Sequence, residues 1–212
     1  MPAPSNLRSR KRLATRQSIS DAATGLFLER GFDQVTVDDI AVAADVGRMT
    51  VFNHFPRKED MFFDRDEEGR AMLRDALRAR EAGVAPVEAL RLLAHRLVKD
   101  RHPAVDFSAR SERFILTVEA SDTLMARARA IRGELAQMMA AALAESIGRD
   151  ALDADAELAA GLLLATWTVA LRQAHRLFRQ TRDTAHANAA FLAVIDKGSA
   201  GLHAALAGTP YV

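Results

Sequence analysis

The chain of 212 residues contains no cysteine. That absence excludes disulfide frameworks, thiolate metal sites and cysteine nucleophiles, and it suits a reducing compartment such as the cytoplasm. Aromatic residues are only 6% of the chain, with one tryptophan and one tyrosine, and no segment sustains the apolar–polar alternation of a half-buried strand. The longest nearly apolar stretch, Leu158 to Leu171, spans 14 residues. It falls short of the roughly 18 to 20 needed to cross a bilayer, so it is expected to be a buried helix and no membrane partner is expected. Residues 1 to 20 lack an apolar run followed by a small-residue cleavage site, so no secretory signal is expected. There is no glycine-rich nucleotide loop, no GxSxG elbow and no HExxH pair among the six histidines. Asp64, Asp66, Glu67 and Glu68 are close in sequence, but on a helix they point in different directions. The expectation is a chain that is not an enzyme and uses no metal or cofactor.

Charge is balanced overall, 29 Lys and Arg against 28 Asp and Glu, yet unevenly spread. Residues 1 to 20 hold Arg8, Arg10, Lys11, Arg12 and Arg16 and no acid, a local positive arm that attracts phosphate. Beyond the arm, the apolar residues recur at helical period. Ile19, Ala22, Ala23, Leu26 and Phe27 form one stripe of an amphipathic helix closed by Gly31. Thr36 caps a second, short helix, with Val35 and Ile40 in staple positions. Asp45, Val46 and Gly47 supply a tight turn, a third helix runs from Arg48 to Phe55, and Pro56 stops it. A fourth is expected from Arg57 to about Arg80. The apolar pattern then predicts further helices over about 86–101, 109–119, 122–147, 154–179 and 184–207, the last weakened by Gly198 and Gly201. The fold class is all-α with about nine helices.

Residues 34 to 55, QVTVDDIAVAADVGRMTVFNHF, read as two short helices meeting at a compact turn, the helix-turn-helix pattern. On the third helix Val51, Phe52 and Phe55 cluster on one side, and Met49, Thr50, Asn53 and His54 on the other. A face offering a hydroxyl, an amide and an imidazole suits base edges and phosphates. Arg48 lies in the first turn, where its guanidinium can swing out to guanine or phosphate. Lys58 is placed for backbone phosphate, as are the arm residues Arg10, Lys11 and Arg12. Thr36 and the N–H groups that open the second helix make an anion site.

Ile19, Ala22, Ala23, Leu26, Phe27, Gly31 and Phe32, then Thr36, Val37, Ile40 and Ala41, then Val46, Thr50, Val51, Phe52, His54, Phe55, Lys58 and Glu59 together resemble the TetR (tetracycline-repressor) family of regulators. The resemblance covers roughly residues 12 to 63. It implies that Thr36, Arg48, Met49, Thr50, Phe52, Asn53, His54 and Lys58 occupy DNA-facing positions. Two departures stand out. Gly47 replaces a frequent serine cap, and Phe52 and Asn53 replace frequent tyrosines, removing two phenolic hydroxyls.

Residues 1–56 are therefore expected to form a helix-turn-helix DNA-binding domain with a basic arm, and residues 57–212 a helical effector-binding and dimerisation domain. In the second, LAAGLLLATWTVAL is apolar nearly all round and must be covered. Alanine and glycine on the eighth and ninth expected helices suit a homodimer through both. Candidate effector contacts are Met72, Phe107, Phe114, Leu116, Met125, Met138 and Trp167, an apolar set with adaptable methionines. The expected function is a sequence-specific transcriptional regulator, a repressor released from palindromic double-stranded DNA by a small apolar or amphipathic effector. The alternative is a helical architectural or partner-binding protein without base readout.

Overall fold

A computed structural model of the protein describes residues 4–149 and 153–212; residues 1–3, the start of the expected basic arm, lie outside the described residues. Ten α-helices and one short 3-10 turn account for the regular structure among the described residues, with no strand. They are α1 (Pro4–Arg30), α2 (Val37–Ala43), α3 (Arg48–His54), α4 (Lys58–Phe62), α5 (Asp66–Arg78), α6 (Pro86–Lys99), α7 (Ala109–Glu119), α8 (Asp122–Ser146), α9 (Ala154–Thr181) and α10 (Thr184–Ala205), with the 3-10 turn at Pro103–Val105.

Two expectations change. The basic segment is not an arm trailing ahead of the first helix: from Pro4 it is the first helix. The helix expected from Arg57 to Arg80 is two, α4 and α5, because Phe63 leaves helical geometry (φ −103°, ψ 32°) and Asp64 accepts a hydrogen bond from the buried Ser20 hydroxyl of α1. No glycine or proline marks that break; a contact distant in sequence makes it.

The chain forms two compact units. The smaller runs up to Arg65 and includes Arg113–Ala128. Its core is Ile19, Ala23 and Phe27 of α1, Phe32 and Val35, Ile40 and Ala41 of α2, Val51 and Phe55, Met61 and Phe62 of α4, and Leu124. Phe27 and Phe32 meet at 4.9 Å, and Phe62 stacks on Phe114 at 4.4 Å, contacts of the offset or edge kind that aromatic rings favour.

The larger unit comprises Asp66–Glu112 and Arg129–Val212. Its core gathers Leu77 of α5, Val87, Leu90, Leu93, Ala94 and Leu97 of α6, Phe107, Met139 and Leu143 of α8, one face of α9, and Phe191, Ile195 and Leu202 of α10. Tyr211 is fully buried there, and its carbonyl accepts a hydrogen bond from Val87 N–H at 3.1 Å. Burial beside the Asp153 carboxylate pushes the phenol up to about 12.

α9 and α10 pack as a helical hairpin, with Gly198 at a close contact. A Cβ at Gly198 would overlap Cγ2, Oγ1 and Cβ of Thr166. The expectation that α9 is buried is not met by a single chain. The helix is 28 residues long, continuing past the apolar stretch to Thr181, long and apolar enough to cross a bilayer, and only 28% of its most apolar window is buried. Ala156, Ala159, Ala160, Leu163, Ala170, Ala174 and Phe178 face the core. Leu158, Gly161, Ala165 and Val169 run in an exposed stripe at helical spacing.

Candidate nucleic-acid interface

Local chemistry builds the helix-turn-helix. Thr36 accepts from Asp39 N–H at 3.1 Å while its own N–H donates to Asp39 Oδ2 at 2.8 Å, a complete capping box opening α2. The staple residues Val35 and Ile40 are both buried. α2 ends as Asp45 turns to φ 53° and Val46 N–H donates to Ala41 O at 3.0 Å, a left-handed position that aspartate tolerates. Gly47 then precedes α3 without a side-chain cap.

α3 presents two sides. Val51 and Phe55 are fully buried, whereas Arg48, Met49 and Asn53 are exposed and Thr50, Phe52 and His54 half-buried. Met49 is 71% exposed, a cost for an apolar side chain that nothing within this chain offsets. The far end of α3 is held by Arg16 of α1, which donates to the His54 carbonyl and lies 3.9 Å over the Phe55 ring. A cation at a helix C-terminus complements its dipole. From sequence Arg16 belongs only to the diffuse basic segment; no local signal marks this role, which depends on α1 passing the end of α3. Desolvation, then the charges of Arg12 and Arg16, lower the pKa of His54, so a neutral imidazole faces out at pH 7.

The other predicted residues divide. Arg10, Lys11 and Arg12 are exposed on the first turns of α1. Thr36 is exposed, but its hydroxyl also donates to Asp39 at 2.6 Å, so a carboxylate already sits at the start of α2. Lys58 reaches inward: its ammonium donates to Phe32 O and Val35 O, each at 2.8 Å, 4.0 Å from the Phe32 ring centre. Burial lowers its pKa, with Asp33 and Glu59 opposing.

The candidate effector contacts are not one set. Phe107 is fully buried in the larger unit, edge-on to His175 at 4.9 Å and 5.8 Å from Phe191. Met72, Met138 and Trp167 pack against the same core. Phe114, Leu116 and Met125 belong to the smaller unit, where Phe114 stacks on Phe62 and Leu116 is 46% exposed. Within the larger unit a cavity of about 200 Å³ opens between α5 and α8, lined by Arg74, Leu77, Arg78, Arg80, Ala142, Glu145 and Ser146. None of these is among the effector contacts expected from sequence.

Residues 19–64 match the family described as bacterial regulatory proteins, tetR family. The HTH-type transcriptional regulator TcmR of Streptomyces glaucescens is 28% identical over 186 residues, covering 84% of this chain and 79% of TcmR. Among solved structures, FadR of Thermus thermophilus, a TetR-family transcriptional repressor in complex with lauroyl-CoA, is 28% identical, covers 88% of this chain and 92% of its own, and superposes with a TM-score of 0.54. SmeT in complex with triclosan is 21% identical with a TM-score of 0.59, covering 89% of this chain and 91% of SmeT; SmeT is the repressor of a Stenotrophomonas maltophilia multidrug efflux pump.

Proposed function

We propose that the chain, whose residues 19–64 match the tetR family and which is 28% identical to the transcriptional regulator TcmR, is a cytoplasmic, non-enzymatic homodimeric repressor of that family that leaves a palindromic operator when a small amphipathic molecule binds. The observation that carries the reading is the outer side of α3. It keeps Arg48, Met49 and Asn53 in solvent while Val51 and Phe55 anchor the helix from behind. Arg48, Met49, Thr50 and Asn53 are the base-reading set, and Phe52 and His54 flank the backbone. Arg10, Lys11 and Arg12 lie along phosphates from α1. Lys58 spends two of its three N–H donors on carbonyls and has one left for a phosphate oxygen. Thr36 approaches phosphate only at the edge of its capping box. The base-reading elements thus fall within residues 1–56, with Lys58 as a phosphate contact just beyond them, and effector binding and dimerisation within 57–212.

The second copy covers the exposed stripe of α9, with the small exposed residues Ala189, Ala193, Ala200 and Ala204 of α10 beside it. An apolar stripe on a helix with arginines at 172, 176 and 179 suits a protein partner better than lipid. For the effector, FadR's lauroyl-CoA is a long apolar chain on a polar head. We extend that class to this chain's larger unit, with Met72, Met138, Trp167 and Phe107 as apolar walls.

The test is selection of bound sequences from random duplex DNA, followed by a metabolite panel that includes acyl thioesters and fatty acids. The reading expects a two-fold sequence with half-sites about one helical turn apart and release by at least one amphipathic compound. Recovery of no sequence preference would leave the helical partner-binding alternative in its place.

A further inference from the structure

Asp38 and Arg48 form an ion pair on the same exposed side of α2 and α3: Arg48 Nη1 donates to Asp38 Oδ2 at 2.7 Å, with side chains 62% and 58% exposed for the acid and the base. A pair this exposed contributes little to stability, so stability gives it little reason to exist. The two acids in the first turn of α2 behave differently. Asp39 folds back into the capping box, while Asp38 reaches ten residues along the chain to α3. The Arg48 guanidinium also lies 5.6 Å from the centre of the Phe52 ring, one turn further on.

We propose that Asp38 is a positioning residue that makes Arg48 a reader of guanine and withholds it from phosphate. The inference rests on the recognition-helix reading above. Guanine presents O6 and N7, two acceptors at fixed places on one base edge that match a guanidinium edge, whereas a phosphate turns oxygens to many sides and accepts a guanidinium fork or an ammonium from several directions. A carboxylate on one Nη and an aromatic ring beside the plane fix the side chain in one attitude and leave its remaining donors available as a pair. The same carboxylate is repelled by phosphate. It therefore subtracts from sequence-independent affinity, which is almost wholly electrostatic, and leaves the guanine contact intact. Asp38 thus acts against random DNA and for the operator, a specificity gained through an unfavourable element directed at the competitor.

The experiment compares wild type, Asp38→Ala and Arg48→Lys on the selected operator, on scrambled duplex, and on operators in which each half-site guanine in turn is replaced by 7-deazaguanine, which lacks only the N7 acceptor. Circular dichroism melting accompanies each variant. Wild type should lose roughly 5-fold or more at one guanine position. Asp38→Ala should melt like wild type, bind scrambled duplex more tightly, and show a smaller 7-deazaguanine penalty. Arg48→Lys should keep scrambled affinity and lose the penalty altogether. If no guanine position matters to wild type, or if Asp38→Ala leaves both the penalty and the scrambled affinity as they were, the inference is overturned while operator binding stands. A wild type with no sequence preference on any duplex overturns instead the reading on which it rests.

Discussion

Lys58 serves the fold, and in the proposed complex it also serves the DNA, with one side chain. Its ammonium donates to Val35 O and to Phe32 O, the latter also accepting from Val35 N–H at 3.3 Å, where the α1–α2 connection turns. Replacing it by methionine keeps most of the stem and strips both acceptors of a donor. The expected cost is about 1–2 kcal/mol of stability, read by denaturant unfolding. The same variant should lower the magnitude of the log K against log salt slope by about two per dimer, one phosphate per subunit. His175 is the other residue whose environment sets a measurable property. Its Nδ1 is buried without a hydrogen-bond partner among the described residues, its ring lies edge-on to Phe107, and burial holds its pKa below the usual histidine value, with Asp106 opposing. The unfolded chain, with an imidazole near pKa 6.5, takes up the proton first. Stability is therefore full above that value and lost as pH falls from about 6.5 toward the depressed folded value, before carboxylates titrate. His175→Phe should flatten the drop in Tm between about pH 7 and pH 5; a drop unchanged in the variant would assign it elsewhere.

At the scale of elements, the features legible in the sequence are those made locally. α2 and its turn are legible because the cap, the staple and the turn residues all lie within a dozen positions of one another. α3 is legible for the same reason; of the expected outward set Met49 and Asn53 are exposed, whereas Thr50 and His54 are half-buried. Lys58 is legible as a cation near the DNA face but not as a donor to Phe32 and Val35, since those carbonyls become neighbours only when α4 folds against α1. The α4–α5 break is hidden likewise, resting on Ser20 and Asp64. On α8 the large apolar residues Ile131 and Leu135 are half-buried, whereas Met139 and Leu143 are buried. A helix this rich in alanine carries too little contrast to fix its rotation. At the α9–α10 contact, Gly198→Ala gains helix propensity but must push into Thr166, so it should destabilise by about 1–3 kcal/mol. Adding Thr166→Ala removes two of the three overlapping atoms and should restore most of the loss in thermal melts; simple additivity of the two changes would refute the contact.

For the whole molecule, the proposed homodimer rests on the exposed stripe of α9. Val169 is 46% exposed on this stripe, so Val169→Glu leaves the protomer's own core untouched and puts a charge where the second copy is expected. Sedimentation should find wild type as a dimer at micromolar concentration and the variant as a monomer of unchanged helicity, with affinity for the two-fold operator largely lost. A dimeric Val169→Glu protein would move the interface to another surface.

The indole of Trp167 is the single tryptophan of the chain, half-buried on α9 and edge-on to Phe191 of α10 at 5.7 Å. Excitation at the red edge of the protein band, where tyrosine hardly absorbs, therefore illuminates one fluorophore at one address. Its emission colour and anisotropy report the helical hairpin alone, unmixed with light from the DNA-reading end. The protein carries its own optical gauge: dissociation of the proposed dimer and entry of the proposed effector can be sought without a label.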